Sequence, residues 1–150
     1  MSNHMLPVFN ERSYKKMLVK DLMTPGISCV DITADAEVIA QQMKKNNIGA
    51  VPVCSDQGEI LGIITDRDLV LRHIAGKAAV AGEIMTKKPV CTSPDMDSHT
   101  AGLLFSKYGI RRLPVISGGR VVGILSLCDI AKKPVFADEA GDILCAISKE

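Results

Sequence analysis

Ile48-Gly49-Ala50-Val51-Pro52-Val53 returns 62 residues later as Ile110-Arg111-Arg112-Leu113-Pro114-Val115. The same displacement carries Asp21-Leu22-Met23-Thr24 onto Glu83-Ile84-Met85-Thr86. Gly62-Ile63-Ile64-Thr65 through Asp68 returns as Gly123-Ile124-Leu125-Ser126 through Asp129, displaced by 61 residues. The lost residue falls in a turn, where Ser55-Asp56-Gln57-Gly58-Glu59 is matched by the shorter Ser117-Gly118-Gly119-Arg120. Matches in one register mark an internal duplication.

Each copy carries the same order of local signals. A short β-rich run (Ile27 to Val30; Val90 to Thr92) follows the Met-Thr element. Thr33-Ala34-Asp35 and Ser93-Pro94-Asp95 then read as turns or helix N-caps. The next helix presents Ala36, Ile39, Ala40 and Met43 inward in the first copy, and Ala101, Leu104, Phe105 and Tyr108 in the second. Two apolar runs flanking a Gly-containing turn make a hairpin of each copy. A second helix starts at Thr65 or Ser126, with stops at Gly76 and at Lys132-Lys133-Pro134. The fold class is therefore α/β (α+β): two tandem β-α-β-β-α units packed about a pseudo-twofold axis as one module. Its seam is the natural ligand position. The segments are 1–18 (N-terminal, its second Met compatible with an expression scar), 19–76, 77–133, and a helical tail 134–150 read as a packing or dimerisation helix.

Composition bounds the function. With 150 residues, 47% of them apolar, the chain suits one domain. At 3% aromatic residues and no Trp, its core is aliphatic. Lysine and arginine number 18 against 17 acids, which gives no reason to expect a nucleic-acid partner. No apolar run has bilayer-spanning length, so no membrane partner is expected. Five cysteines without a C-x-x-C pair or an export signal read as reduced thiols of a cytoplasmic protein. His4, His73 and His99 are read as solvated, and no metal is expected. Cys29 and Cys91, equivalent in the repeat, read as small buried hydrophobes, and Met23 and Met85 as core fillers. There is no nucleophile elbow, P-loop or Gly-rich fingerprint, so no enzyme is expected.

The order Met-Thr, hydrophobic-Pro-Val, then Gly-hydrophobic-hydrophobic-Thr/Ser-x-x-Asp, occurring twice over Val19 to Ala131, resembles the CBS-domain family arranged as a CBS pair, or Bateman module. Thr65-Asp66-Arg67-Asp68 and Ile110-Arg111-Arg112-Leu113-Pro114-Val115 are similar to segments of small stand-alone bacterial and archaeal members. The resemblance implies a regulatory module that takes an adenine nucleotide of the AMP, ADP or ATP class as ligand and requires no cofactor. Its alternatives are S-adenosylmethionine, a cyclic dinucleotide, or an empty oligomerisation scaffold. A homodimer and an unidentified protein partner are also implied.

By the same resemblance, Thr65 with Asp68 and Ser126 with Asp129 hold ribose and phosphate. Chemically, a carboxylate accepts both hydrogens of a vicinal diol. The same four residues also read as capping boxes that satisfy the first N–H groups of a helix. The family pattern pairs Thr65 and Asp68 with Thr86, Val90, Ile110 and Arg111 in one site, and Ser126 and Asp129 with Thr24, Ile27, Ile48 and Ala50 in the other. Arg67, Arg111 and Arg112 give the first site guanidinium groups for phosphate, where the second has Cys128, Gly49 and Ala50. The competing reading places these arginines in surface ion pairs with Asp66 or Asp95.

Overall fold

A computed structural model describes residues 17–149. The first copy runs α1 (Val19–Leu22), β1 (Thr24–Pro25), α2 (Ala36–Asn46), β2 (Ala50–Cys54), β3 (Ile60–Thr65) and α3 (Asp66–Asp68), which continues as a π-helical turn, Leu69–Ile74. The second runs α4 (Ala81–Ile84), β4 (Thr86–Lys87), α5 (Ser98–Tyr108), β5 (Arg112–Ser117), β6 (Arg120–Ser126) and α6 (Leu127–Ala131). A 3₁₀ turn, Pro134–Phe136, leads into α7 (Ala137–Ile147).

Both hydrophobic-Pro-Val segments form hairpins, β2 with β3 and β5 with β6. Pro52 is tolerated because its missing N–H would face the outer edge of β2. There only Val30 pairs, donating to the Pro52 carbonyl at 2.9 Å. The third strand of each sheet comes from the other copy, giving the orders β1-β6-β5 and β2-β3-β4. Thr24 pairs with Ile124, and Thr86 with Ile63.

This exchange corrects the expected strand positions. Of Ile27 to Val30 and Val90 to Thr92, only Val30 and Thr92 pair, each through one parallel bridge to Val53 or Val115. The strands lie instead in the Met-Thr elements. The chain leaves them through left-handed residues, Gly26 (φ 67°) and Lys88 (φ 48°), which end the pairing.

Burial follows the exchange. Val19 and Leu22 join Phe105, Leu113, Leu125 and Ile143 in one core, while Ala81 and Ile84 join Ile39, Val51 and Ile64 in the other. Ala50, Ile63 and Ile124 form a small cluster between the halves, with Ile27 against it. Two helix positions depart from expectation: Ala40 is exposed, and so is Tyr108. On α5 the buried positions include Ser98, whose N–H donates to the Met17 carbonyl at 3.0 Å, and Gly102, against which α7 lies. A Cβ on Gly102 would sit 3.2 Å from Ile143. The tail therefore packs within its own chain, burying Ala140 and Ile143.

Candidate cleft between the two repeats

The Thr/Ser-x-x-Asp elements start α3 and α6, and both close as capping boxes. Asp68 N donates to Thr65 Oγ1 (3.2 Å) while Thr65 N donates to Asp68 Oδ2 (2.8 Å). Ser126 and Asp129 repeat this at 3.1 and 2.8 Å. The cap and the cleft are compatible, because each box uses Oδ2 and leaves the other carboxylate oxygen out. Asp68 Oδ1 lies 3.9 Å from the guanidinium of Arg72. Arg72 also donates to the Ile84 carbonyl (2.7 Å) and to Thr86 Oγ1 (3.4 Å), binding the π-helical turn to the exchanged segment. Sequence reading passed over Arg72; its i+4 spacing from Asp68 was the available signal.

All sixteen site residues singled out in the sequence line one open cleft of about 1430 Å³. In the first half these are Thr65, Asp66, Arg67, Asp68, Ile48, Gly49 and Ala50, with Thr86 and Val90 arriving from the second copy. Opposite are Ser126, Asp129, Ile110, Arg111 and Arg112, with Thr24 and Ile27 from the first copy. Strand exchange sets the partners: Thr86 pairs two residues from Thr65, and Thr24 two residues from Ser126. The Gly49 carbonyl accepts from Asp66 N (3.1 Å) and the Arg111 carbonyl from Leu127 N (3.0 Å), so these two backbones stay with their own copy. Arg112 crosses the seam. A Cβ on Gly49 would sit 2.6 Å from its guanidinium nitrogen and 3.3 Å from Asp66 Oδ2.

Among the described residues, no ion pair within 4.0 Å involves Arg67, Arg111 or Arg112; Asp95 pairs with Lys20 at 3.0 Å. The expected pairing with Asp66 or Asp95 is therefore absent among these ion pairs, while Arg67 and Arg111 are exposed. Sequence reading also missed a wall of the cleft, since Ala137, Gly141 and Leu144 of α7 line it beside Tyr108 and Lys88.

Two of the three histidines are not simply solvated. His73 Nδ1 lies 2.6 Å from the Ala78 carbonyl and its Nε2 lies 3.5 Å from Glu37. His99 Nδ1 meets Glu139 of α7 at 2.7 Å. His4 lies outside the described residues. Among the described residues no group of three or more His, Cys, Asp and Glu could hold a metal ion. Cys29 and Cys91 are half-buried rather than buried. Burial pushes the Cys91 thiol upward, and burial with the adjacent Cys29 raises that of Cys54 to about 12.

An exchanged, duplicated hairpin module with a polar helix start in each half defines a two-motif architecture with one cleft between its halves. The CBS domain family model matches residues 19–73 and 81–147, and the chain belongs to that family as a CBS pair. The CBS domain-containing protein YhcV of Bacillus subtilis is 36% identical over 136 residues, spanning 88% of this chain and 96% of its own. The CBS domain pair of MJ0100, solved in complex with 5′-methylthioadenosine and S-adenosyl-L-methionine, superposes with a TM-score of 0.73. It is 28% identical and covers 83% of this chain and 98% of that one. Hypoxic Response Protein I, solved with two coordinated zinc ions, gives a TM-score of 0.70 at 32% identity over 77% of this chain and 98% of that one. No described helix is long and apolar enough to cross a membrane.

Proposed function

We propose that this CBS pair is a non-catalytic regulatory module that binds an adenosine-containing nucleotide in the cleft and signals by a change in the packing of its halves. The observation that carries this reading is the pair of capped Thr/Ser-x-x-Asp starts facing one cleft. In each, a hydroxyl and an aspartate are already fixed by the backbone they cap. A ribose diol needs acceptors, which the carboxylates supply. The MJ0100 pair, which binds adenosine-derived ligands, supports the ligand class. The cleft volume exceeds the roughly 300–1,000 Å³ of a single small-molecule site, which supports room for two ligands.

The halves are chemically unequal. Arg112 over Gly49, with Arg67 nearby in sequence, favours phosphate on the Thr65/Asp68 side, so a phosphorylated nucleotide occupies that half first. Ligand acts by preferring one arrangement of the halves over another. The exposed Val70, Leu71 and Ile74 on the π-helical turn support a homodimer, and output passes in trans to a protein partner in the cytoplasm.

The test is a thermal-shift panel with AMP, ADP, ATP, S-adenosylmethionine and cyclic dinucleotides, since a ligand of the folded state raises Tm. At least one adenosine compound is expected to do so, with Asp68→Ala abolishing the shift of phosphorylated nucleotides more completely than Asp129→Ala. No shift with any compound would favour the empty scaffold instead. Survival of full affinity in both variants would reduce the aspartates to caps.

A further inference from the structure

We propose that Cys29 and Cys54 are a disulfide-forming pair that pins one wall of the cleft. The pair is set by the backbone. Val30 N donates to the Pro52 carbonyl (2.9 Å) and Cys54 N to the Val30 carbonyl (3.0 Å), so a parallel bridge holds the two cysteines side by side. Their sulfurs lie 2.6 Å apart. Cys54 is buried, whereas Cys29 is half-exposed, which separates an attacking thiol from a resolving one.

The second half supplies an internal control. At the positions equivalent to Cys29 and Cys54 stand Cys91 and Ile116, held by the same bonds between Thr92, Pro114 and Ile116. Among the described residues, the hydrogen bond of the Cys91 thiol goes to the Pro89 carbonyl, at 3.2 Å, and not to another thiol. The covalent lock therefore belongs to the first half alone.

The oxidant is a low-molecular-weight disulfide. The Cys29 thiolate attacks one of its sulfurs, forming a mixed disulfide and releasing one thiol. The Cys54 thiolate then attacks the Cys29 sulfur and releases the second thiol. Two protein thiols lose their hydrogens and the reagent disulfide is reduced to two thiols. The new bond joins cysteines 25 positions apart, closing a loop that contains α2, and it fixes the segment that follows Ile27, which lines the cleft. Bound nucleotide is not needed for any of this, so the pair stands apart from the proposed function.

The experiment is peptide mapping of the full chain after reduction and then treatment with oxidised glutathione. Expected is a Cys29–Cys54 linked peptide about 2 Da lighter than the sum of its reduced halves, with Cys91 still a thiol and the exposed Cys128 and Cys145 carrying glutathione. Cys54→Ala is expected to accumulate the mixed disulfide at Cys29. In Cys29→Ser, which keeps the buried partner, Cys54 is expected to stay reduced. Hydrogen exchange at the Val30 and Cys54 amides should slow on oxidation while that at Thr92 and Ile116 does not. Glutathione stranded on Cys29 in the wild-type chain, or Cys54 linked elsewhere, would overturn the pairing. Unchanged exchange at Val30 would overturn the pinning.

Discussion

Lys88 holds a left-handed backbone (φ 48°) at the place where the first copy has Gly26 (φ 67°), and it lines the cleft. A side chain in that region is strained, and glycine is not. Lys88→Gly is therefore expected to raise stability by about 0.5–1 kcal/mol while weakening any phosphate-bearing ligand. Chemical denaturation and the thermal-shift panel measure the two effects, which must have opposite signs. At Asp68 and Asp129, loss of the box costs about 1 kcal/mol each on conversion to Ala, measurable without ligand. Cys54 titrates high because burial and Cys29 disfavour its thiolate. A raised acid pKa gives stability that is full below an unfolded thiol's ~8.5 and is lost as pH climbs toward about 12. Cys54→Ala should flatten the fall in Tm over that alkaline window. A fall as steep as that of the wild type would mean that Cys54 is not the group titrating.

The glycines of β3 and β6 explain a feature that sequence comparison of the copies shows without explaining. A Cβ on Gly62 would meet the Thr86 carbonyl at 2.8 Å and Met85 Sδ at 2.5 Å. One on Gly123 would meet the Thr24 carbonyl at 2.6 Å. Each glycine is therefore the seat of the exchanged strand, and backbone cannot yield as a flexible side chain can. Gly62→Ala or Gly123→Ala is expected to destabilise by about 1–3 kcal/mol through overpacking, read from denaturant midpoints. An alanine accepted without loss would place the exchanged strand elsewhere. The hairpins, their turns and the Thr/Ser-x-x-Asp helix starts were legible in the sequence, because turn chemistry and capping are local. The pairing of Met-Thr elements was not, since a two-residue strand has no period to read. The π-helical turn was equally hidden: Leu69-Val70-Leu71 reads as any apolar helix, and the bond from Ala75 N to the Val70 carbonyl (3.0 Å) is a tertiary outcome.

Exchange also determines how the whole molecule holds together. Val19 belongs by sequence to the first copy, but it is buried with Phe105 in the second core, apart from Ile39. A double-mutant cycle should therefore show coupling of about 0.5 kcal/mol or more between Val19→Ala and Phe105→Ala. Val19→Ala and Ile39→Ala should add within a few tenths. Equal additivity in both pairs would contradict the exchanged core. Because each half lacks part of its core without the other copy, one cooperative unfolding transition is expected rather than two.

The sequence by itself determined the duplication, the hairpins and the capped helix starts, since each rests on local spacing or on in-register repetition, while the set of residues expected at the seam rested on the resemblance to the family. Only the tertiary structure decided which copy's strand closes which sheet, that α7 packs on α5 and walls the cleft, and that Arg112 reaches across to Gly49. Those outcomes depend on contacts between segments distant in the chain. There the burial of apolar surface chooses among partners that local pattern leaves equivalent.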